Sequence, residues 1–252
     1  MNESLLFWLG VALCFSIAGL VKGVTGMGLP TVAMGLLGLV MPGAEAASLL
    51  ILPSLLTNVW QMLTGPRLLL LWRRLWLMQV CVFLGTFATI GFLTNSSSSL
   101  GPIVLGSVLA LYAILGLSSF RFVVAPRLER WLSPVVGLLT GLLTGATGVF
   151  VVPAVPYLSS LIPEKEELIQ SLGLSFTVST VALAAALALH GAFTSELAGG
   201  SLLALVPAFA GMFLGQAIRN RLQPDIFRRW FFSSLLLIGL FMAVRAALIT
   251  LR

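Results

Sequence analysis

Apolar residues run along the chain in blocks set off by charged residues or turn formers, with approximate limits 5 to 21, 27 to 41, 46 to 64, 74 to 94, 100 to 120, 132 to 145, 147 to 161, 168 to 189, 197 to 218 and 229 to 250. A helix rises 1.5 Å per residue and needs about 20 apolar residues to cross the hydrocarbon of a bilayer. Six blocks reach that length. The first, second, sixth and seventh fall short, and each adjacent short pair is joined by a Gly- and Thr-rich stretch instead of a polar loop. These pairs are expected to be helical hairpins. They are either re-entrant, with broken backbone sheltered by protein or water, or two short tilted crossings.

The pattern then repeats as a hairpin followed by three long helices. Residues 1–126 form the first unit, with hairpin 5–41 and helices 46–64, 74–94 and 100–120. Residues 127–252 form the second, with hairpin 132–161 and helices 168–189, 197–218 and 229–250. Gly19, Gly23, Thr25, Gly26 and Pro30 align with Gly137, Gly141, Thr144, Gly145 and Pro153, and Gly85 aligns with Gly211. A unit of five crossings leaves on the side opposite to its start, so the second copy is expected to be inverted. Alternating the loops puts Arg67, Arg73, Arg74, Arg121, Arg127, Arg130, Lys165, Arg219, Arg221, Arg228 and Arg229 on one face. Positive residues mark the cytoplasmic side, which puts both termini on the periplasmic face of a cell inner membrane. Arg252 mildly disagrees, and Arg245 is expected to snorkel outward.

Composition sharpens this reading. The chain has 252 residues, 59% hydrophobic and 9% charged, far from the quarter or so of charged residues that keeps a soluble domain wet. The formal net charge of +6 is spread between apolar blocks with no basic stripe, so nucleic acid is excluded as a partner. Cys14 and Cys81 lie inside apolar blocks and are read as small hydrophobes. The first residues lack the basic start of a cleavable leader, so the first block is expected to stay.

Candidate chemistry centres on Gly19-Leu-Val-Lys-Gly-Val-Thr-Gly-Met-Gly-Leu-Pro30. Glycines let a helix break and expose N–H donors, and Pro30 suits the opening turn of a following half-helix, whose positive end attracts anions. The second copy, Leu143-Thr-Gly-Ala-Thr-Gly-Val-Phe-Val-Val-Pro153, carries no lysine. Two such turns facing each other would form one site; the alternative is that small residues only let helices approach. Lys22 costs about 2.5 to 3.5 kcal/mol at the bilayer centre. The acidic residues Glu3, Glu45, Glu129, Glu164, Glu166, Glu167, Glu196 and Asp225 all fall in loops or at ends. A substrate anion is therefore a candidate partner for Lys22, unless that residue snorkels to a membrane face. Ser54, Thr57, Asn58 and Gln61 share one helical stripe, and Ser171, Ser175 and Ser179 recur at fourth positions, with Thr180 matching Asn58. The candidate binding set is Lys22, Thr25, Gly26, Gly28, Asn58, Gln61, Thr144, Gly145, Thr147, Gly148, Ser175 and Ser179.

With these motifs in hand, the chain resembles the TauE/SafE family of sulfite exporters, through the glycine-rich opening to Pro30, the run 46–58, and above all Gly211-Met-Phe-Leu-Gly-Gln-Ala-Ile-Arg-Asn-Arg-Leu-Gln-Pro-Asp-Ile-Phe-Arg-Arg-Trp230. It departs from the family's pattern in having Thr25-Gly-Met-Gly28 where a denser glycine run is usual. The resemblance implies export of sulfite or of organosulfonates such as sulfoacetate. The expectation is thus an all-α integral membrane protein, an inverted repeat acting as a secondary transporter by alternating access around a midplane site, with no cofactor. A homodimer and a passive anion channel stay open. A membrane-embedded enzyme is disfavoured by the single histidine and the lack of a buried acid.

Overall fold

The computed structural model describes residues 3–95, 100–118, 124–219, 221 and 223–250. Among these it is helical throughout, with no strand. The helices are α1 (Glu3–Thr25), α2 (Leu29–Leu37), α3 (Gly43–Leu63), α4 (Leu68–Thr89), α5 (Gly91–Thr94), α6 (Leu100–Leu117), α7 (Pro126–Thr147), α8 (Ala154–Leu161), α9 (Lys165–Leu189), α10 (Ser195–Ile218) and α11 (Pro224–Thr250). Seven spans among them are long and apolar enough to cross a membrane. The expected Arg121 and Arg252, and most of the loop around 96–99, lie outside the described residues.

The hairpins differ from the expectation of two short arms. α1 has 23 residues and α7 has 22, because the helix runs on through Lys22 and Thr25 in the first case and starts at the charged 126–130 in the second. The short members are α2 and α8, with 9 and 8 residues. The two breaks share one construction. Thr25 Oγ1 donates to the Val21 carbonyl at 2.9 Å and accepts from the Met27 N–H at 3.2 Å, while Gly26 takes φ 78°. Thr147 Oγ1 donates to the Leu143 carbonyl at 2.6 Å and accepts from the Val149 N–H at 3.1 Å, while Gly148 takes φ 72°. The threonine occupies groups that the helix end leaves orphaned, and only glycine adopts the left-handed residue at no steric cost. This pairs Thr25 and Gly26 with Thr147 and Gly148. The sequence alignment had chosen Thr144 and Gly145, one turn earlier.

Glycines decide which helices touch. A methyl on Gly19 or Gly23 would stand 2.1 Å from the carbonyl oxygens of Ala208 or Met212, and one on Gly211 would stand 2.2 Å from that of Ser16. α1 thus lies backbone to backbone along α10, with residue numbers rising together, so the two run parallel. Gly137, Gly141 and Gly145 press on Met78, Val82 and Thr86 in the same way, and α7 runs parallel to α4. Gly106 meets Gly239 where α6 crosses α11 in the opposite direction. α3 and α9 are also antiparallel, since Gly65 meets Gln170 while Ser54 reaches Thr180. Small residues permit such close approach, which gives dispersion its grip where lipid competes equally for apolar surface.

Breaks in the helical ladder are repaired locally. Pro53 has no N–H for the Leu49 carbonyl four residues back, and Ser201 Oγ donates to that carbonyl at 2.8 Å while accepting from the Leu52 N–H at 3.1 Å. At one end of the bundle Arg67 pairs with Glu167 at 2.6 Å, and Arg74 grips Glu129 with two N–H donors at 2.6 and 2.8 Å. Trp72, Trp76, Trp131 and Trp230 are exposed on the outer surface.

Candidate functional site

Lys22 lies on the last turn of α1 and is 3% exposed. Its Nζ donates to Asn58 Oδ1 of α3, so the side chain turns inward and does not snorkel to a surface. Asn58 is fully buried and held from its other end, its Nδ2 donating to Ser54 Oγ at 3.0 Å and to Thr180 Oγ1 of α9 at 3.4 Å. Thr180 in turn donates to the Phe176 carbonyl at 2.7 Å. The amide carbonyl of Asn58 is thereby aimed at Lys22 by a chain of hydrogen bonds across two helices. That orientation is fixed in a medium where a misplaced donor would be costly.

An ammonium carries three donors. Among the described residues its partner is Asn58, while the acidic groups in ion pairs, Glu129, Glu167 and Asp225, all face arginines. Beside Lys22 lies a cavity of about 140 Å³, lined by Gly26, Thr57 and Gln61 with Gln216 and Arg219 of the α10 end. Gln61 donates to the Ile169 carbonyl at 2.8 Å, closing the cavity wall toward α9. A water needs about 10 to 15 Å³ of such space, so the cavity admits a small anion together with water. Its chemistry is cationic and donor-rich: one ammonium, one guanidinium and amide groups, without a carboxylate.

Of the expected set, Lys22, Gly26, Asn58 and Gln61 come together here. Thr25 spends its hydroxyl on the helix break and faces a larger chamber on the other side of the turn. Gly28 caps α2 with φ 96° and lies against Val21 and Phe231. The second break does not line this cavity: Thr144 donates to the Thr140 carbonyl, Gly145 sits on Thr86, Thr147 serves the break, and Gly148 touches Met34 of α2. Ser175 and Ser179 are buried with hydroxyls lacking a partner among the described residues, as are Thr31 and Gln79. The Lys22–Asn58 pair stands three residues from the end of α1 and five from that of α3, about a turn inside one end of the bundle and away from the helix centres. Sequence reasoning passed over Gln216 and treated Arg219 only as a topology marker. Gly211 and Gly215, four apart on α10, mark the face that puts both beside α1.

Seven helices of crossing length, with a buried cation and its amide partner beside a polar cavity, define a multi-pass membrane protein. The sequence matches the family described as Sulfite exporter TauE/SafE over residues 11–242, and the chain belongs to that family. Comparison with curated proteins and with solved structures gave no match.

Proposed function

We propose that the protein exports sulfite or a small organosulfonate such as sulfoacetate across the cell inner membrane, and that Lys22, Asn58 and Gln61 form the binding station. The observation that carries this reading is the buried Lys22, which faces a neutral amide oxygen and a cavity of about 140 Å³ with no carboxylate among its described lining residues. A cation so placed is completed by an arriving anion. Gly26 contributes close backbone. Thr25, Gly28, Thr144, Gly145, Thr147, Gly148, Ser175 and Ser179 belong to the path around the two breaks that opens in other conformations.

The halves 1–126 and 127–252 work as inverted copies that exchange access between the two faces. Support comes from helix direction. α1 runs parallel to α10 and α7 to α4, while α3 opposes α9 and α6 opposes α11, the pairing that two copies of opposite orientation produce. The arginine-rich end is cytoplasmic and both termini are periplasmic.

Proteoliposomes loaded with sulfite or sulfoacetate test the site. Wild type is expected to release anion at a rate that Lys22→Ala lowers at least tenfold, with Lys22→Arg keeping part of it. Unchanged flux in Lys22→Ala removes the site. Accumulation of sulfite against its own gradient when an ion gradient is imposed identifies coupled transport; flux that only dissipates gradients identifies a channel.

A further inference from the structure

On the opposite side of the 22–27 turn from the Lys22 cavity lies a much larger chamber of about 750 Å³ at the arginine-rich end of the bundle. Its walls have two characters. Lys165 at the start of α9, Arg219 at the end of α10 and Arg228 on the first turns of α11 bring three positive groups to it, and none of its described lining residues is acidic. Arg228 has a loose partner, Asp225 at 4.0 Å, which is itself largely exposed.

A continuous aromatic surface forms a further part of the wall, beside smaller residues such as Val24, Leu115 and Val155. Phe227 stacks on Phe231 with centroids 6.5 Å apart, Phe231 meets Phe232 at 4.9 Å, and Phe232 stands edge-on to Tyr112 at 5.1 Å. Gly116 makes room for Phe232, since a methyl there would lie 2.2 Å from its ring. The Tyr112 hydroxyl points to the Met27 sulfur at 3.6 Å, tying the aromatic wall to the break in the first hairpin.

Cations above an aromatic floor select a ligand with one charged end and one flat apolar end. Bare sulfite has no use for four aromatic rings, and the smaller cavity has a single aromatic residue, Trp60, among its described lining residues. We infer that the chamber is a second binding site, for an amphiphilic organic anion whose sulfonate, carboxylate or phosphate head meets Lys165, Arg219 and Arg228 and whose apolar body lies on Phe227, Phe231, Phe232 and Tyr112. A free aryl sulfonate and an anionic phospholipid share that chemistry. Arg219 lines both cavities, so the assignment is read by binding through Lys165 and Arg228, which the Lys22 cavity lacks.

Isothermal titration of the full chain in neutral maltoside micelles tests it, with 2-naphthalenesulfonate as probe. Methanesulfonate supplies the head alone, and methyl 2-naphthyl sulfone the body without charge. The naphthalenesulfonate is expected to bind saturably, at least tenfold tighter than either fragment. The double variant Lys165→Gln/Arg228→Gln weakens it at least tenfold, and Phe231→Leu weakens it severalfold while leaving methanesulfonate unchanged. Each variant's thermal unfolding is followed in parallel, and Arg228→Lys, which keeps the charge, restores most of the affinity if a variant proves unstable. Phosphatidylglycerol added to the micelles competes if the resident ligand is a lipid and leaves the titration unchanged if it is a free organic anion; phosphatidylcholine has no effect in either case. Absence of saturable binding, equal affinity for the uncharged sulfone, or unaltered binding by the folded charge variants overturns the assignment.

Discussion

Asn58 decides what Lys22 meets. Its carbonyl oxygen is a neutral acceptor, so it orients the amine without cancelling a charge, and the hydrogen bonds from Asn58 Nδ2 to Ser54 and Thr180 keep it from flipping. Asn58→Asp puts a carboxylate of nearly the same shape in its place. The resulting buried ion pair satisfies Lys22 internally, and anion flux is expected to fall at least tenfold while the protein still accumulates and unfolds at a similar temperature. Flux equal to wild type in Asn58→Asp contradicts the idea that Lys22 waits for an external anion. That Lys22 would find no acid beside it was expected from the sequence, because no apolar block contains one, and among the described residues its partner is the amide of Asn58. Its amide partner was legible only as a neighbour on a stripe, since the distance between Lys22 and Asn58 is set by how α1 and α3 both lean on α10.

At the scale of the helix, small residues and prolines carry the argument. Gly141→Val is expected to abolish accumulation of the folded protein, because even the first added carbon would lie 2.2 Å from the Val82 carbonyl oxygen, whereas Gly10→Val has open space around it and is tolerated. Western blots of membrane fractions separate the two. Ser201→Ala leaves the Leu49 carbonyl unpaired beside Pro53 and is expected to cost about 1 to 2 kcal/mol. In a Pro53→Ala background, where the backbone N–H is restored, the same change is nearly neutral, and a double-mutant cycle in unfolding experiments reads the difference. The matched glycines were visible in the sequence. Their division of labour was not: Gly19, Gly23, Gly137, Gly141 and Gly145 pack helices, and Gly26 and Gly148 break them. Composition cannot tell the two uses apart, because both need the missing Cβ; the register of Thr25 and Thr147 against their following N–H groups makes the distinction. The hairpin arms were misjudged for a related reason. Lys22 reads as the end of an apolar block, yet a lysine that hydrogen-bonds inward lets its helix continue to Thr25.

For the whole molecule, hydropathy foretold a helical membrane protein with six blocks of crossing length; the structure has seven such spans, the added one being α1. Orientation is open to direct measurement. In a background with Cys14 and Cys81 replaced by serine, single cysteines at Val40 and Leu189, both highly exposed, are expected to react with an impermeant maleimide in intact cells, and one at Arg130 only after the membrane is opened. The reverse pattern would turn the protein over. What no pattern of apolar residues foretold is which helices join, because that follows from surfaces meeting that lie far apart in the chain, as when α1 packs on α10.

The depth of Lys22 makes the journey across the protein lopsided. From Lys22 to the near end of α1 is about 4.5 Å along the helix, and to Leu5 at the far end about 25 Å. At the proposed site beside the amine, a solute has covered only a small fraction of the length of α1. Phe15, Met34, Phe150 and Phe176 are fully buried in the interior of the bundle. On the proposed route, trimming Phe150 or Phe176 is expected to change the rate of passage, while changes at Lys22 act on binding near its entrance.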